Sequence, residues 1–94
     1  MTLSASKIAT LLGIENRYND NTQLSILLTD SRNLTYPERT VFFALRTPGN
    51  DGHNFIDGLY LQGVKYFVTD KYIDYKEYKG ATFWHVDNVL DALQ

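Results

Sequence analysis

The chain has 94 residues, 44% of them hydrophobic and 14% aromatic, with a formal net charge of −2 and no cysteine. That length supports one domain, 1–94, burying about 60–65% of the surface its unfolded chain exposes, and the apolar content suffices for a packed core and excludes a disordered chain. The nine Lys and Arg are scattered rather than clustered, which excludes nucleic-acid binding driven by phosphate neutralisation, while the lack of cysteine excludes disulfides and thiolate metal sites and two His make a weak case for any metal.

The N-terminal stretch "MTLSASKIATLLG" predicts a helix. Ser4 is placed to cap it, Leu3 and Ile8 to staple the entry, and Gly13 to supply a left-handed stop. The start "MTLSASK" has no basic segment followed by an apolar run, so no signal peptide is indicated. No apolar run approaches the roughly 18–20 residues of a membrane span. A cytoplasmic protein is expected. After the polar loop "IENRYNDNTQ", the segment "LSILLTD" predicts a strand covered on both faces, because both of its alternating sets contain apolar residues. "SRNLTYPER" is a connection, with Pro37 unsuited to a central strand. "TVFFAL" predicts a buried strand.

"DGHNFIDGLYLQG" predicts a second helix, capped by Asn50 or Asp51, with Phe55, Ile56 and Leu59 on one face and Gly63 at its end. Gly58 inside it suggests close packing on a sheet. "VKYFVTD" is a third strand. "KYIDYKEYKG" is charged and rich in Tyr, an exposed turn or short helix whose Tyr72, Tyr75 and Tyr78 make a surface stripe. "TFWHV" is a further strand, with Trp84 and His85 read as packing and edge residues. "DNVLDALQ" begins a helix capped by Asp87, with Val89, Leu90 and Leu93 on one face. Its apolar face lacks a C-cap, so it reads as cut and the chain as a fragment of a longer protein. Strands alternating with helices predict an α/β domain, a small mixed, partly parallel sheet with flanking helices.

No P-loop, no G-x-G-x-x-G and no G-x-S-x-G elbow is present. Nothing assembles Ser31 and His53 into a hydrolytic set, and no catalytic residue is assigned. The candidate chemistry is recognition. "TDSR" and "RTPGNDGH" each follow a predicted strand, and in open α/β sheets ligands gather beyond the carboxyl ends of strands. Arg32 and Arg46 offer planar donors for phosphate or carboxylate. The second helix presents free N–H groups that favour an anion. Gly49 and Gly52 permit close backbone approach. Each residue also has a plain structural reading: Asp30 as a turn former, Arg32 as a surface ion pair, Asn50-Asp51-Gly52 as a helix cap, and His53 as an exposed first-turn residue.

The ordered set Asp30-Ser31-Arg32, Phe42-Phe43-Ala44-Leu45, Asp51-Gly52-His53-Asn54-Phe55 and Gly63-Val64 resembles the N-terminal domain of the Mur ligases, the ATP-dependent enzymes that build the peptidoglycan stem peptide. The forms "LLTDSRNLTYPERTVFFAL" and "NDGHNFIDGLYLQGVKYFV" are most similar to the ligase type that adds D-alanyl-D-alanine to UDP-N-acetylmuramoyl-tripeptide, in versions fused to an alanine racemase.

The resemblance implies a domain that binds the UDP part of that substrate. ATP, Mg and the chemistry would belong to the parent's central and C-terminal domains, with pyridoxal phosphate added only by a racemase fusion. No cofactor is expected in the fragment itself. Carried over by position, Ser31 of the first segment and Thr47, Pro48, Gly49 and Asn50 of the second are substrate-binding candidates, joined by Arg32 and Arg46 on the chemistry of their side chains. Asp30, Asp51, Gly52 and His53 are the loop organisers. The sequence departs from the family at Arg46-Thr47, where many members carry Lys-Gly. The alternative is a non-catalytic α/β interaction module docking a protein on the Tyr-rich segment.

Overall fold

The computed structural model describes residues 2–14, 19–28 and 34–94. Along the chain these residues form strand β1 (Leu3–Ser4), helix α1 (Ala5–Leu11), strands β2 (Gln23–Leu27), β3 (Thr40–Phe43), β4 (Arg46–Thr47) and β5 (Asn50–Asp51), helix α2 (Ile56–Leu61), strands β6 (Tyr66–Thr69) and β7 (Thr82–His85), and helix α3 (Val89–Leu93). The main sheet runs β1-β2-β3-β6-β7, while β4 and β5 form a separate two-stranded ribbon. β1 is antiparallel to β2, and the pairs β2–β3, β3–β6 and β6–β7 are parallel. The sheet is mixed and partly parallel, as expected from the alternation of strand and helix patterns.

Strand periodicity sends successive side chains to opposite faces. One face carries Leu24, Val41, Phe43, Val68 and Trp84, covered by Ala5, Ile8 and Ala9 of α1 and Val89 of α3. The other carries Phe42, Ala44 and Phe67, covered by Ile56 and Leu59 of α2 and by Val64. The register aligns Phe42 with Phe67 and Phe67 with Phe83 across the sheet. The Phe67 and Phe83 rings stack with centroids 4.9 Å apart, a geometry favourable beyond simple burial. Parallel strands buried on both faces read as continuous apolar runs, which is why "TVFF" was legible: all four of its residues are buried.

The local signals at the first helix are met. Ser4 Oγ accepts the Lys7 N–H at 3.1 Å, and Gly13 follows the helix with φ 76°. Other expectations need correction. β2 is covered on both faces only in part: Leu24 is buried in one layer and Leu27 packs on the other, but Ile26 is 49% exposed, and Leu28, just beyond the strand, 42%. Its outer neighbour β1 pairs with only Gln23 and Leu24, so among the described residues the rest of β2 is a sheet edge. The predicted second helix divides into a 3-10 turn over Gly52–Phe55 and then α2. Asp51, not Asn50, caps it.

Among the described residues Gly58 makes no close packing contact, since a Cβ added there would meet nothing within 4 Å. Tyr72 and Tyr75 are exposed as a stripe requires, but Tyr78 turns inward. It meets Tyr60 edge-on and Phe83 at a tilt, both at 5.2 Å, and its hydroxyl donates to Asp57 Oδ1. That hydrogen bond, then burial, pushes the Tyr78 phenol up to about 12. The last helix is capped by Asn88, whose Oδ1 accepts the Asp91 N–H at 2.9 Å, rather than by Asp87. Leu90 is 54% exposed and does not share the buried face of Val89. Among the described residues no helix is long and apolar enough to cross a membrane.

Because Gly58 is helical, exposed and free of neighbours, Gly58→Ala removes a backbone-entropy cost without a clash. Urea denaturation should show the variant more stable by about 0.5–1 kcal/mol. A variant less stable than wild type would mean that Gly58 packs against something.

Candidate functional site

Since β2, β3, β6 and β7 run parallel, their carboxyl ends open on one end of the sheet, where α/β domains bind ligands. The segment after β2 holds Asp30, Ser31 and Arg32, which lie outside the described residues. The segment after β3 is fully described. It passes through Ala44 and Leu45 into the ribbon of β4 and β5, with Arg46 opposite Asp51 and Thr47 opposite Asn50. Pro48 and Gly49 occupy the two central turn positions, and Gly49 has φ 82°. Proline followed by a positive-φ glycine is the signature of a type II turn. Sequence reasoning took these residues as loop. Strands of two residues are too short to show alternation, but "TPGN" carried the turn signal.

The ribbon is folded back onto the sheet at Gly52. The Gly52 N–H donates to the Leu45 carbonyl at 2.7 Å. A Cβ at Gly52 would stand 2.8 Å from both the N and the O of Leu45, closer than real Cβ contacts come. Only glycine lets the two backbones meet. On either side of it, Asp51 and His53 hold the turn. Asp51 Oδ1 accepts the His53 N–H at 3.0 Å and lies 2.7 Å from His53 Nδ1. The Asp70 N–H donates to His53 Nε2 at 3.3 Å. An accepting Nε2 places the ring proton of neutral His53 on Nδ1, directed at Asp51. The His53 side chain is only 6% exposed; the exposed first-turn histidine expected from residue type is instead a bridge between the ribbon and the end of β6.

Asp70 is the residue that sequence reasoning missed. Its side chain is 3% exposed. Oδ2 accepts the Val89 N–H at the start of α3 at 3.0 Å. Oδ1 lies 3.1 Å from Arg46 Nη2 and 3.6 Å from His53 Nε2. Among the described residues nothing makes a well-aligned hydrogen bond to Oδ1, so the nearby guanidinium compensates it by charge rather than by a directed bond. A signal existed: "FVTD" ends β6 as "LLTD" ends the run at β2, an acidic residue directly beyond an apolar strand in both cases. Lys71, the next residue, donates from Nζ to Asp51 Oδ2 and was also missed. Burial works against the charge on Asp51, but Lys71, the His53 backbone N–H and the His53 ring hold its carboxyl well below the usual carboxylate range.

Arg46, Thr47, Gly49 and Asn50 line an open depression together with Asp51 and Asn54. Pro48 is exposed at the tip of the turn. Half of the Arg46 side chain, 47%, remains accessible. The structure thus brings the second predicted segment into one concave polar surface carrying a cation, backbone groups and amides, a set suited to holding an anion and a hydrogen-bonding ring. Among the described residues no group of three or more His, Asp or Glu is arranged to hold a metal.

No protein-family model matches the chain. The sequence is 36% identical over 81 residues to the UDP-N-acetylmuramoyl-L-alanyl-D-glutamate–2,6-diaminopimelate ligase of Clostridium tetani (strain Massachusetts / E88), an alignment that takes in 83% of this chain and 16% of that enzyme. The structure superposes on MurF from Acinetobacter baumannii with a TM-score of 0.73 at 21% identity, covering 99% of this chain and 20% of that one. The chain has the fold of a Mur ligase domain. It spans about a sixth of the length of its curated Mur ligase relative and a fifth of the MurF chain. The sequence match is to a Mur ligase that adds diaminopimelate, the structural match to MurF, so the two agree on the family likeness and differ on the type.

The lowered carboxyl of Asp51 sets a pH dependence. An unfolded Asp titrates near about 3.9; the folded value is lower, so the ionised group stabilises the fold above that range and the contribution is lost as pH falls toward the folded value. In urea denaturation, Asp51→Asn should be less stable than wild type at neutral pH, and the gap should narrow below about pH 4. A gap unchanged at low pH would show that the Asp51 charge contributes nothing.

Proposed function

We propose that the chain is the substrate-recognition domain of a Mur ligase and binds the UDP part of UDP-N-acetylmuramoyl-tripeptide. The observation that carries this reading is the ribbon 46–51, held over the carboxyl ends of the parallel strands with Arg46 half exposed beside the Pro48-Gly49 turn. The uracil ring would meet the backbone of residues 47–50, where Gly49 leaves the main chain open. The diphosphate would meet Arg46, with Ser31 and Arg32 contributing from the neighbouring strand end.

Asp51 at the edge of this surface, with Gly52 and His53 behind it, acts to organise the loop. The Mur ligase likeness in sequence and fold supports the assignment to a ligase of peptidoglycan synthesis. For the parent, we favour the type that adds D-alanyl-D-alanine, on the sequence forms of the two loop segments and the fold match to MurF.

The parent's reaction would run in three steps. ATP, with Mg, phosphorylates the terminal carboxylate of the stem peptide; the amine of D-alanyl-D-alanine attacks the acyl phosphate; phosphate leaves. These steps belong to the parent's other domains, in the cytoplasm, and the 94-residue chain positions the nucleotide end of the substrate. A racemase fusion would add pyridoxal phosphate elsewhere in the parent.

A second reading, a protein-interaction module, draws on the groove between Tyr72, Ile73, Tyr75 and Phe83, whose tyrosines are largely exposed. One titration separates the two. Addition of UDP, followed by amide chemical shifts, should move Arg46, Thr47, Gly49 and Asn50 in a saturable way and leave residues 72–78 still. Binding in the millimolar range is expected because the other domains complete the site, so Kd would correspond to about −4 kcal/mol. Ribbon amides unmoved by excess UDP would exclude the nucleotide reading.

A further inference from the structure

We propose that Asp70 is a positioning residue: one buried carboxylate that holds the Arg46 guanidinium over the strand ends and ties the same ribbon to the start of α3. The UDP part of this inference rests on the nucleotide reading above; the positioning part does not.

Three separate elements converge on Asp70. From the ribbon, Arg46 Nη2 stands 3.1 Å from Oδ1. From the 3-10 turn, His53 Nε2 accepts the Asp70 N–H at 3.3 Å and lies 3.6 Å from Oδ1. From α3, the Val89 N–H donates to Oδ2 at 3.0 Å. The Asp70 side chain is 3% exposed. A carboxylate so withdrawn from water requires compensation, and Arg46 is the cation closest to it among the described residues. The attraction therefore works in both directions. Asp70 needs the guanidinium, and the guanidinium is kept at the mouth of the depression instead of extending into solvent. Arginine carries five N–H donors in a planar fork. The Asp70 charge stands beside one Nη of that fork without a directed bond, and the 47% of the Arg46 side chain that stays accessible leaves donors for an incoming phosphate.

His53 adds rigidity. It is fixed from one side by Asp51 at 2.7 Å and from the other by the backbone of Asp70, so the ribbon cannot shift without disturbing the end of β6. Val89 is 1% exposed and belongs to the core under α1 and α3. Its N–H bond to Asp70 joins that core to the binding surface.

The test compares wild type with Asp70→Asn, Arg46→Met and the double variant of the 94-residue chain. Asp70→Asn keeps the shape and one carbonyl acceptor but removes the charge. Amide hydrogen exchange is read at Gly52, at Thr47, Gly49 and Asn50 and at Val89, with Phe42 and Phe67 as core references; UDP affinity is read by the same titration as above. Asp70→Asn should speed exchange in the ribbon about tenfold while the references hold, and weaken UDP about tenfold. The double variant should bind UDP no more weakly than Arg46→Met alone, because Asp70 acts through Arg46.

Unchanged ribbon exchange in a folded Asp70→Asn overturns the proposal whether or not UDP binds. Faster ribbon exchange with undiminished UDP affinity overturns it too. Faster ribbon exchange in a chain whose wild type takes no UDP upholds the positioning role and removes the nucleotide reading. Should Asp70→Asn fail to fold, Arg46→Met decides: ribbon exchange must rise with Val89 unaltered, and an unaltered ribbon sinks the proposal.

Discussion

The candidate site depends on one contact between backbones, that of Gly52 with Leu45. It is a close approach that no other residue permits, since a Cβ would stand 2.8 Å from two backbone atoms. The hydrogen bond across it, 2.7 Å from the Gly52 N to the Leu45 O, folds the chain back on itself just beyond β3. Everything between the two residues is then confined to a ribbon with a tight turn. Everything directly after Gly52 is aimed at the end of β6, so His53 can reach Asp70. The triplet Asp51-Gly52-His53 is in this sense a clamp. Asp51 caps the turn, Gly52 makes room, and His53 bridges to the neighbouring strand.

The clamp is useful only because the sheet beneath it is firm. Its two central strands, β3 and β6, are buried on both faces, with Val41, Phe42, Phe67 and Val68 all inaccessible to solvent. Helices α1 and α3 cover one side and α2 the other. A rigid parallel sheet with loops at its carboxyl ends is the arrangement on which α/β proteins build their binding sites. The ribbon side of that end carries both signs of charge, from Arg46 and Lys71 to Asp51 and Asp70. The two carboxylates are engaged by the protein's own cations and N–H groups, while about half of the Arg46 side chain stays accessible.

Much of this was legible in the residues, for identifiable reasons. Ser4 and Gly13 carry local capping chemistry that tertiary packing did not override. Of the expected strand "TVFFAL", "TVFF" is strand because both faces are covered, while Ala44 and Leu45 already lead into the ribbon, and Asp51 caps the turn as its type suggests. The misreadings have equally specific causes. Ile26 is apolar and strand-like but lies on the uncovered part of β2, and no pattern within that strand discloses that β1 stops after two residues. Gly58 looked like a packing glycine but sits on the open face of α2. Tyr78 differs from Tyr72 and Tyr75 only in that Tyr60, Phe83 and Asp57 meet it in space.

Among the site residues, Arg46 and the 47–50 turn were visible because Pro, Gly and Asn declare a turn. Asp70 was not, because its importance comes from three elements far apart in sequence. The motif Asp30-Ser31-Arg32 lies outside the described residues, so its part of the site rests on the sequence alone.

The most direct test of the account is the location of the nucleotide in a crystal structure of the chain grown with UDP. The account predicts density for the uridine against residues 47–50 and for the diphosphate within hydrogen-bond distance of Arg46, with the Arg46–Asp70 contact preserved. Uridine density in the groove at Tyr72 and Phe83, or a diphosphate held without Arg46, would contradict it.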